Sequence, residues 1–315
     1  MNNAGLGGLI RRHLALLGLV LAFAAMLAVF SVMSPVFFTY GNFINIANQT
    51  AVISVLAIGM TLVMLSGGID LSVGAVVSLS AVVCALLLDS GMGLPLAIGL
   101  SILLGVAVGA INGIISVRWG IQTFLVTLGS LSVARGLSLV LSDGRTIYIE
   151  SERFLAITAQ GFIGPIPVLF AWTLLFFAAV WVLLNLTTFG RKVRAVGGNV
   201  EAARQAGLNT QWVVVRVFML SGGLAACAGL MMAGRLSSGL PSVGVGMELD
   251  AIAAAVLGGT GFKGEGGSLA GTLFGALVMG TVINGLTVLG IDPYIQEITK
   301  GVVIVLAVII VSKRR

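Results

Sequence analysis

Charge is what this sequence lacks most: Asp, Glu, Lys and Arg make up 9% of its 315 residues, whereas a soluble domain carries about 25%. So few charges cannot cover a surface that faces water, and 58% of the residues are hydrophobic. The composition therefore predicts a chain surrounded by lipid, where only helices and closed barrels satisfy the backbone hydrogen bonds. The apolar runs are continuous rather than alternating, which favours an all-α polytopic membrane protein over a barrel.

Residues that commonly perform chemistry are also scarce. Cys84 and Cys227 both lie inside apolar runs, and the single histidine, His13, follows two arginines at a predicted headgroup position. We therefore expect no disulfide framework, no metal site and no catalytic residue. The stretch GTGFKG (259–264) lacks the flanking strand and distant acid of a dinucleotide site, and the dipeptide Gly-Lys of a phosphate-binding loop does not occur. The chain is predicted to be neither an enzyme nor a cofactor protein.

Ten apolar spans follow one another along the chain. A helix needs about 20 residues to cross a bilayer, and the eighth span is too short, so it predicts a half-helix or re-entrant segment buried in protein. The first span resembles the apolar part of a signal peptide, but it is longer and no small-residue cleavage site follows it, so we expect it to remain. The spans cover about 14–33, 46–66, 71–89, 94–117, 121–141, 165–187, 211–233, 247–258, 267–289 and 294–312.

Basic residues predict the orientation of these spans. With the N-terminus in the cytoplasm, eleven Lys and Arg residues fall in inner loops and three in outer loops, as the positive-inside rule expects. The net charge of +6 is thereby explained by topology rather than by nucleic-acid binding. Both termini are predicted to be cytoplasmic. Because no linker divides the chain, residues 1–315 are expected to form one transmembrane domain, with long loops at 142–164 outside and 188–210 inside.

The sequence also contains an internal repeat. The matched segments lie five spans apart, and an odd offset inverts the second copy in the membrane, as in many transporters whose cargo route runs between the copies. The first copy would cover about 14–141 and the second about 165–312. The aligned segments are 68–79 with 246–257, 96–114 with 269–286, and 119–122 with 289–292.

Polar residues at the starts of two matched helices are the first candidates for a cargo route, because an ionisable group inside a membrane is costly and commonly functional. These residues are Asp70 and Ser72 in the first copy and Glu248 and Asp250 in the second. The alternative is structural: Asp70 or Ser72 caps the following helix, and carboxylates in a first turn favour the helix dipole. We expect Asp70 toward the inner face and Glu248 toward the outer face, so that the two form no paired acid–base site.

Three amides are further candidates. Asn112 and Asn284 end matched helices, and together with Gln296 they could line a polar route for hydroxyl-rich cargo; the alternative is a bond to a neighbouring carbonyl. Glu297 and Lys300, three residues apart in the last span, are expected to neutralise each other. Glycines at four-residue spacing predict close helix packing in lipid: Gly105, Gly109 and Gly113 in the first copy, and Gly267, Gly271 and Gly275 in the second.

The inner loop 188–210 contains a helix signature of its own. In NVEAARQAG, Asn199 is a candidate N-cap, Glu201 suits a first turn and Gly207 is a candidate C-cap. The loop therefore predicts a short helix on the cytoplasmic side.

Three blocks resemble the signatures of a known family. GMTLVMLSGGIDLSVG (59–74), GRKVRAVGGNVEAARQAGLN (190–209) and ELDAIAAAVLGGTGFKGEGGSLAGTLFGAL (248–277) are similar to blocks of the ribose-type sugar permeases, the membrane subunits of bacterial ABC importers for monosaccharides. The resemblance covers nearly the whole chain from about residue 30. It implies a second permease copy, identical or similar, a periplasmic sugar-binding protein, a separate cytoplasmic ABC ATPase and a place in the bacterial inner membrane.

The resemblance also implies that the inner loop is the coupling helix that contacts the ATPase. The alternative is an amphipathic helix resting on anionic lipid, which its three neighbouring basic residues would favour. No role is assigned to Lys263 or Glu265, which interrupt a glycine-rich segment. The implied ATPase-contact residues are Gly197, Gly198, Asn199, Glu201, Ala202, Ala203, Arg204 and Gly207.

Other functions are weighed against the sugar importer. An ABC permease for branched-chain amino acids would have a zwitterionic cargo and a charged half-helix site. An ion-coupled secondary transporter would need acids deep within spans, whereas the acids here lie at helix starts and in loops. A structural or assembly membrane protein would explain neither the repeat nor the inner loop. The sequence does not distinguish one sugar from another.

Overall fold

The computed structural model describes residues 20–261, 264 and 266–312. Predictions made for His13, Lys263 and Glu265, for residues 14–19 of the first span and for the basic C-terminus lie outside the described residues. The helices are α1 (Val20–Met33), α2 (Tyr40–Leu65), α3 (Val73–Asp89), α4 (Leu94–Trp119), α5 (Thr123–Leu141), α6 (Glu152–Leu155), α7 (Val168–Leu186), α8 (Thr188–Gly198), α9 (Val200–Gln205), α10 (Thr210–Leu236), α11 (Met247–Leu257), α12 (Leu269–Val288) and α13 (Pro293–Ser312).

Each of the ten predicted apolar spans coincides with a helix, to within a few residues at most ends. The largest difference is the start of α2, which begins at Tyr40 because the hydroxyl of Thr39 accepts a hydrogen bond from the backbone N–H of Asn42 at 3.4 Å. The eighth span is α11, which has 11 residues, so the prediction of a short helix is confirmed. Six helices of the described residues are long and apolar enough to cross a membrane. The chain is therefore an all-α, multi-pass membrane protein.

Helices α2 and α10 form the centre of the bundle. In the most apolar stretch of α2, 83% of the residues are buried, against 22% in α4 and in α5. The core contains side chains of α2, α3, α10 and α11. The outer helices expose large apolar side chains such as Leu103, Val133 and Leu175, which suits a surface that faces lipid rather than water.

The central helices pack against different partners. Helix α10 lies along α4 and α3, and α2 lies along α12 and α11, while α2 and α10 also contact each other. Helix α3 packs on α5, and α11 packs on α13.

The long loop after α5 is partly structured. Strand β1 (Ile147–Tyr148) pairs antiparallel with β4 (Ser238–Gly239), which lies between α10 and α11. Strands β2 (Phe162–Ile163) and β3 (Ile166–Pro167) form a hairpin, after α6 and one π-helical turn (Ala156–Gln160). The loop is thus fixed to the segment that leads into α11.

The loop between α7 and α10 contains two helices where the sequence predicts one. Helix α8 ends at Gly198, and Asn199 separates it from α9. The Asn199 side chain accepts a hydrogen bond from the N–H of Ala202 at 2.9 Å, as predicted for an N-cap. Gly207 has a φ of +80° after α9, the left-handed conformation in which glycine commonly ends a helix.

Candidate functional site at the break between α2 and α3

The α2–α3 loop, residues 66–72, interrupts two buried helices. Gly67 has a φ of +86°, which lets the backbone turn without a side-chain clash. The loop N–H groups of Ile69 and Leu71 donate to the hydroxyls of Thr123 and Thr127 in α5, at 3.1 and 3.0 Å. Side chains of a third helix therefore satisfy backbone groups that a broken helix leaves open.

Asp70 is the centre of this loop. Its side chain is completely buried. One carboxylate oxygen accepts hydrogen bonds from the N–H and the hydroxyl of Ser72, at 3.0 and 2.6 Å. The other accepts from the hydroxyl of Ser221 in α10, at 3.0 Å. Asp70 thereby joins the loop to a helix 151 residues away in sequence.

The prediction that Asp70 or Ser72 caps α3 needs correction. Ser72 occupies the N-cap position, but it makes no side-chain capping bond to α3 within the described residues. Asp70 instead accepts from the N–H two residues ahead, which forms a local turn before the helix. The hydroxyl of Ser72 donates to Asp70 and accepts from Asn112 instead.

A second arm of the network leads to α4 and α5. The amide nitrogen of Asn112 donates to the hydroxyl of Ser72 at 3.0 Å, and the amide oxygen of Asn112 accepts from Ser130. Asn112 is completely buried. Three of the predicted route residues, Asp70, Ser72 and Asn112, thus lie in one continuous chain of hydrogen bonds.

Glu248 lies in the first turn of α11 and is 8% exposed. Its carboxylate packs against Gly74 in the first turn of α3, and one of its oxygens has no hydrogen-bond partner in the described part of the chain. The opposite charge that acts on it is Arg135 of α5. Glu248 thus lies against the start of α3, whereas Asp70 bonds Ser72 and Ser221, and the expectation that the two carboxylates form no paired acid–base site stays a prediction.

Asp250 belongs to a separate charged group. Its carboxylate pairs with the ammonium of Lys300 in α13 at 3.4 Å, and Lys300 also pairs with Glu297 at 2.8 Å. The expected Glu297–Lys300 pair is present. The third member of the group, Asp250, was not predicted to belong to it. The ammonium thus links the short helix α11 to the last helix.

The remaining two amides lie elsewhere. Asn284 exchanges two hydrogen bonds of 2.9 Å with the amide of Asn42 at the start of α2. Gln296 donates to the carbonyl of Ile291 at 2.9 Å, in the turn before its own helix. Neither amide is part of the hydrogen-bonded chain around Asp70.

Helices α8 and α9 lie next to the same loop. Gly197, near the end of α8, packs against the backbone of Leu65 and Ser66. Helix α9 exposes Glu201 and Arg204, which form an ion pair of 3.0 Å. A cavity of about 420 Å³ opens between α9 and the ends of α4 and α10, lined in part by these two side chains.

Sequence reasoning missed the hydroxyl groups that complete the network. Thr123, Thr127, Ser130 and Ser221 stand singly in apolar spans, where small hydroxyl residues usually serve helix packing. Their partners are distant in sequence, so no local spacing indicates them. Among the described residues, no group of three or more His, Cys, Asp or Glu side chains could hold a metal ion.

A multi-pass helical fold with a buried polar network at a helix break is typical of a membrane transporter. Residues 42–310 match the family described as the permease component of the branched-chain amino acid transport system. The chain belongs to this family of transport permeases.

Individual relatives align over nearly their full length. The chain is 39% identical over 302 residues to the ribose import permease protein RbsC of Escherichia coli strain K12, covering 94% of this chain and 93% of that protein. It is 40% identical over 299 residues to RbsC of Bacillus subtilis strain 168, covering 95% and 93%. It is 36% identical over 300 residues to the L-arabinose ABC transporter permease protein AraH of Azospirillum brasilense, covering 95% and 88%. No solved structure matches this chain.

Proposed function

We propose that this chain is the membrane-spanning permease subunit of an ABC importer that carries a monosaccharide into the cytoplasm. The observation that carries this proposal is the near full-length similarity to permeases named for ribose and arabinose. A buried network of hydroxyl, amide and carboxylate groups suits a cargo rich in hydroxyls, because such groups can exchange hydrogen bonds with it. ATP hydrolysis would occur on a separate subunit.

The surface formed by α8 and α9 is proposed to contact this ATPase. Its exposed ion pair, its cap at Asn199 and its direct packing on the end of α2 support the proposal, since a surface that receives force needs a rigid connection to the membrane helices. The anionic lipid surface remains the alternative partner. The proposed contact residues are Gly197, Gly198, Asn199, Glu201, Ala202, Ala203, Arg204 and Gly207.

The proposed assembly contains a second permease copy and a periplasmic sugar-binding protein, in a bacterial inner membrane with both termini in the cytoplasm. We propose ten membrane helices in two inverted repeats. The packing supports the repeat: α10 lies along α4 and α3 of the first copy, as α2 lies along α12 and α11 of the second. Likewise, α3 packs on α5 as α11 packs on α13.

The proposed cargo route passes the starts of α3 and α11. Asp70, Ser72 and Asn112 are buried and mutually bonded, so they would meet cargo only after the network opens. Glu248 offers a carboxylate oxygen without a partner among the described residues. Asp250, Asn284 and Gln296 complete the proposed set.

Uptake into proteoliposomes tests the function. The permease is reconstituted with the proposed ATPase and sugar-binding protein, and uptake of D-ribose, L-arabinose, D-allose and L-leucine is measured with and without internal ATP. We expect ATP-dependent uptake of one of the sugars. Uptake of L-leucine instead would favour a branched-chain amino acid permease, the cargo named in the family description. Uptake that persists without the ATPase would contradict the proposal and favour an ion-coupled transporter.

A further inference from the structure

The start of the α2–α3 loop contacts α8 through backbone atoms, with no flexible side chain between them. The loop thereby connects the proposed cytoplasmic surface to the interior of the bundle. A Cβ atom added to Gly197 of α8 would overlap the carbonyl oxygen of Leu65, and Gly67 faces the backbone of Gly197. Gly264, after α11, packs on the same glycine. Because backbone packed on backbone has no rotamers to absorb a displacement, a shift of α8 must move the start of the loop.

The other end of the loop is fixed by hydrogen bonds. Asp70 accepts three of them, and the bond from Ser221 is the one that reaches α10. Ser221 itself packs against Gly59 in the middle of α2. The Asp70–Ser221 bond therefore holds the loop at the crossing of the two central helices.

A buried carboxylate needs all of these donors. In a completely buried position, a carboxyl group that loses one donor carries a large desolvation cost, so the bonded arrangement is strongly preferred until a competing arrangement forms. Two discrete arrangements, bonded and released, are the property that a transmission element requires.

We propose that the α2–α3 loop transmits movement of α8 and α9 into the membrane, and that the Ser221–Asp70 hydrogen bond holds the loop closed until that movement releases it. Asp70 and Ser221 are positioning residues in this proposal. Gly197 is the residue of α8 through which a movement of that helix displaces the loop. The inference rests on the proposed function, because it takes the ATPase as the source of movement. It adds the path by which that movement reaches the route residues.

Hydrogen–deuterium exchange tests the path without knowledge of the cargo. The full-length permease is purified in complex with its ATPase, and exchange of the peptide that contains residues 66–72 is followed with and without ATP and vanadate. The loop amides of Ile69 and Leu71 are hydrogen-bonded, so we expect slow exchange without nucleotide. With ATP and vanadate, exchange should rise about tenfold, the equivalent of losing one buried hydrogen bond.

The variant Ser221→Ala removes only the bond to α10. It should raise exchange of the loop about tenfold in the absence of nucleotide. The control is Ser142→Ala, another buried serine, whose hydroxyl bonds only carbonyl groups of its own helix, at 2.8 and 3.3 Å. Loop exchange in this control should match the unmodified protein. Asp70→Asn combined with Ser221→Ala should raise exchange by less than the product of the two single effects, because the two residues share one bond.

Two results would overturn the inference. The bond does not hold the loop if Ser221→Ala exchanges like Ser142→Ala. The loop does not transmit movement if a complex that hydrolyses ATP shows no change of loop exchange with ATP and vanadate. Failure of the permease and ATPase to form a complex would be a different outcome, since it would remove the proposed function and the inference with it.

Discussion

Two extensive helix–helix interfaces of the bundle, α4 with α10 and α2 with α12, are formed by different kinds of contact. Between α4 and α10, Cβ atoms added at Gly105 and Gly222 would each overlap the backbone of the other residue, and one at Gly109 would overlap the carbonyl of Phe218. Between α2 and α12, paired polar side chains meet instead: Asn42 with Asn284, and Thr61 with Thr272 at 2.7 Å. The first interface is held by close backbone contact and the second by hydrogen bonds.

The difference shows two ways to join helices where lipid supplies no hydrophobic driving force. Small residues allow close backbone packing, which gains dispersion energy. Polar pairs are stabilised because no water is present to compete for their hydrogen bonds. Under the proposed repeat, these two interfaces are counterparts. A contact of backbone on backbone leaves no room for an added atom, whereas an interface made of pairs can lose a single pair and keep the rest. The predictions below test that contrast.

The largest effect is expected at the glycine interface. Gly109→Ala should lower the free energy of unfolding by about 1–3 kcal/mol, because the added methyl group overpacks a backbone contact. The matched control on the same helix is Gly99→Ala, where a Cβ would meet no described atom within 4 Å. That control should be neutral or stabilising by up to about 1 kcal/mol, since alanine favours helix. Unfolding of the purified permease in detergent measures both, and equal losses would contradict a packing origin.

The amide pair should give the next largest effect. Asn284→Ala leaves the Asn42 amide without its buried partner and should cost about 2 kcal/mol. Asn42→Ala should cost at least as much, because Asn42 also donates to the carbonyl of Phe37 at 2.9 Å. The double variant should cost less than the sum of the two single variants. Strict additivity in the same unfolding assay would show that the amides do not act as a pair.

Much of the fold follows from the sequence because lipid imposes simple rules. Runs of about 20 apolar residues must be helices, so the long spans were predictable. The short α11 followed from its length, and the cap at Asn199 followed from residue type and local spacing. These features depend on neighbours in the chain and on the solvent.

The site was predictable only in part. Asp70 and Glu248 stand out because charge is rare in the spans, but their partners do not: Ser221 is 151 residues from Asp70, and Asn42 is 242 residues from Asn284. A serine or asparagine within an apolar helix carries no local signal of the helix that it will contact. The contact of Glu248 with Gly74 was not predicted for the same reason, because it depends on the packing of α11 on α3 rather than on chain order.

The smallest effect distinguishes a bonded hydroxyl from an unbonded one on the same helix. Thr272→Val removes the hydrogen bond to Thr61 and a bond of 3.2 Å to the carbonyl of Ser268, and it keeps the shape of the side chain, so it should cost about 0.6–1.5 kcal/mol. Thr281→Val removes a buried hydroxyl that has no hydrogen-bond partner within the described ranges, and it should be neutral or stabilising because an apolar group replaces an unpaired polar one. Both variants are compared by unfolding in detergent. A loss at Thr281 as large as that at Thr272 would show that the hydroxyl at 281 is bonded in the membrane, and the polar interface would then extend further along α12 than its bonded pairs indicate.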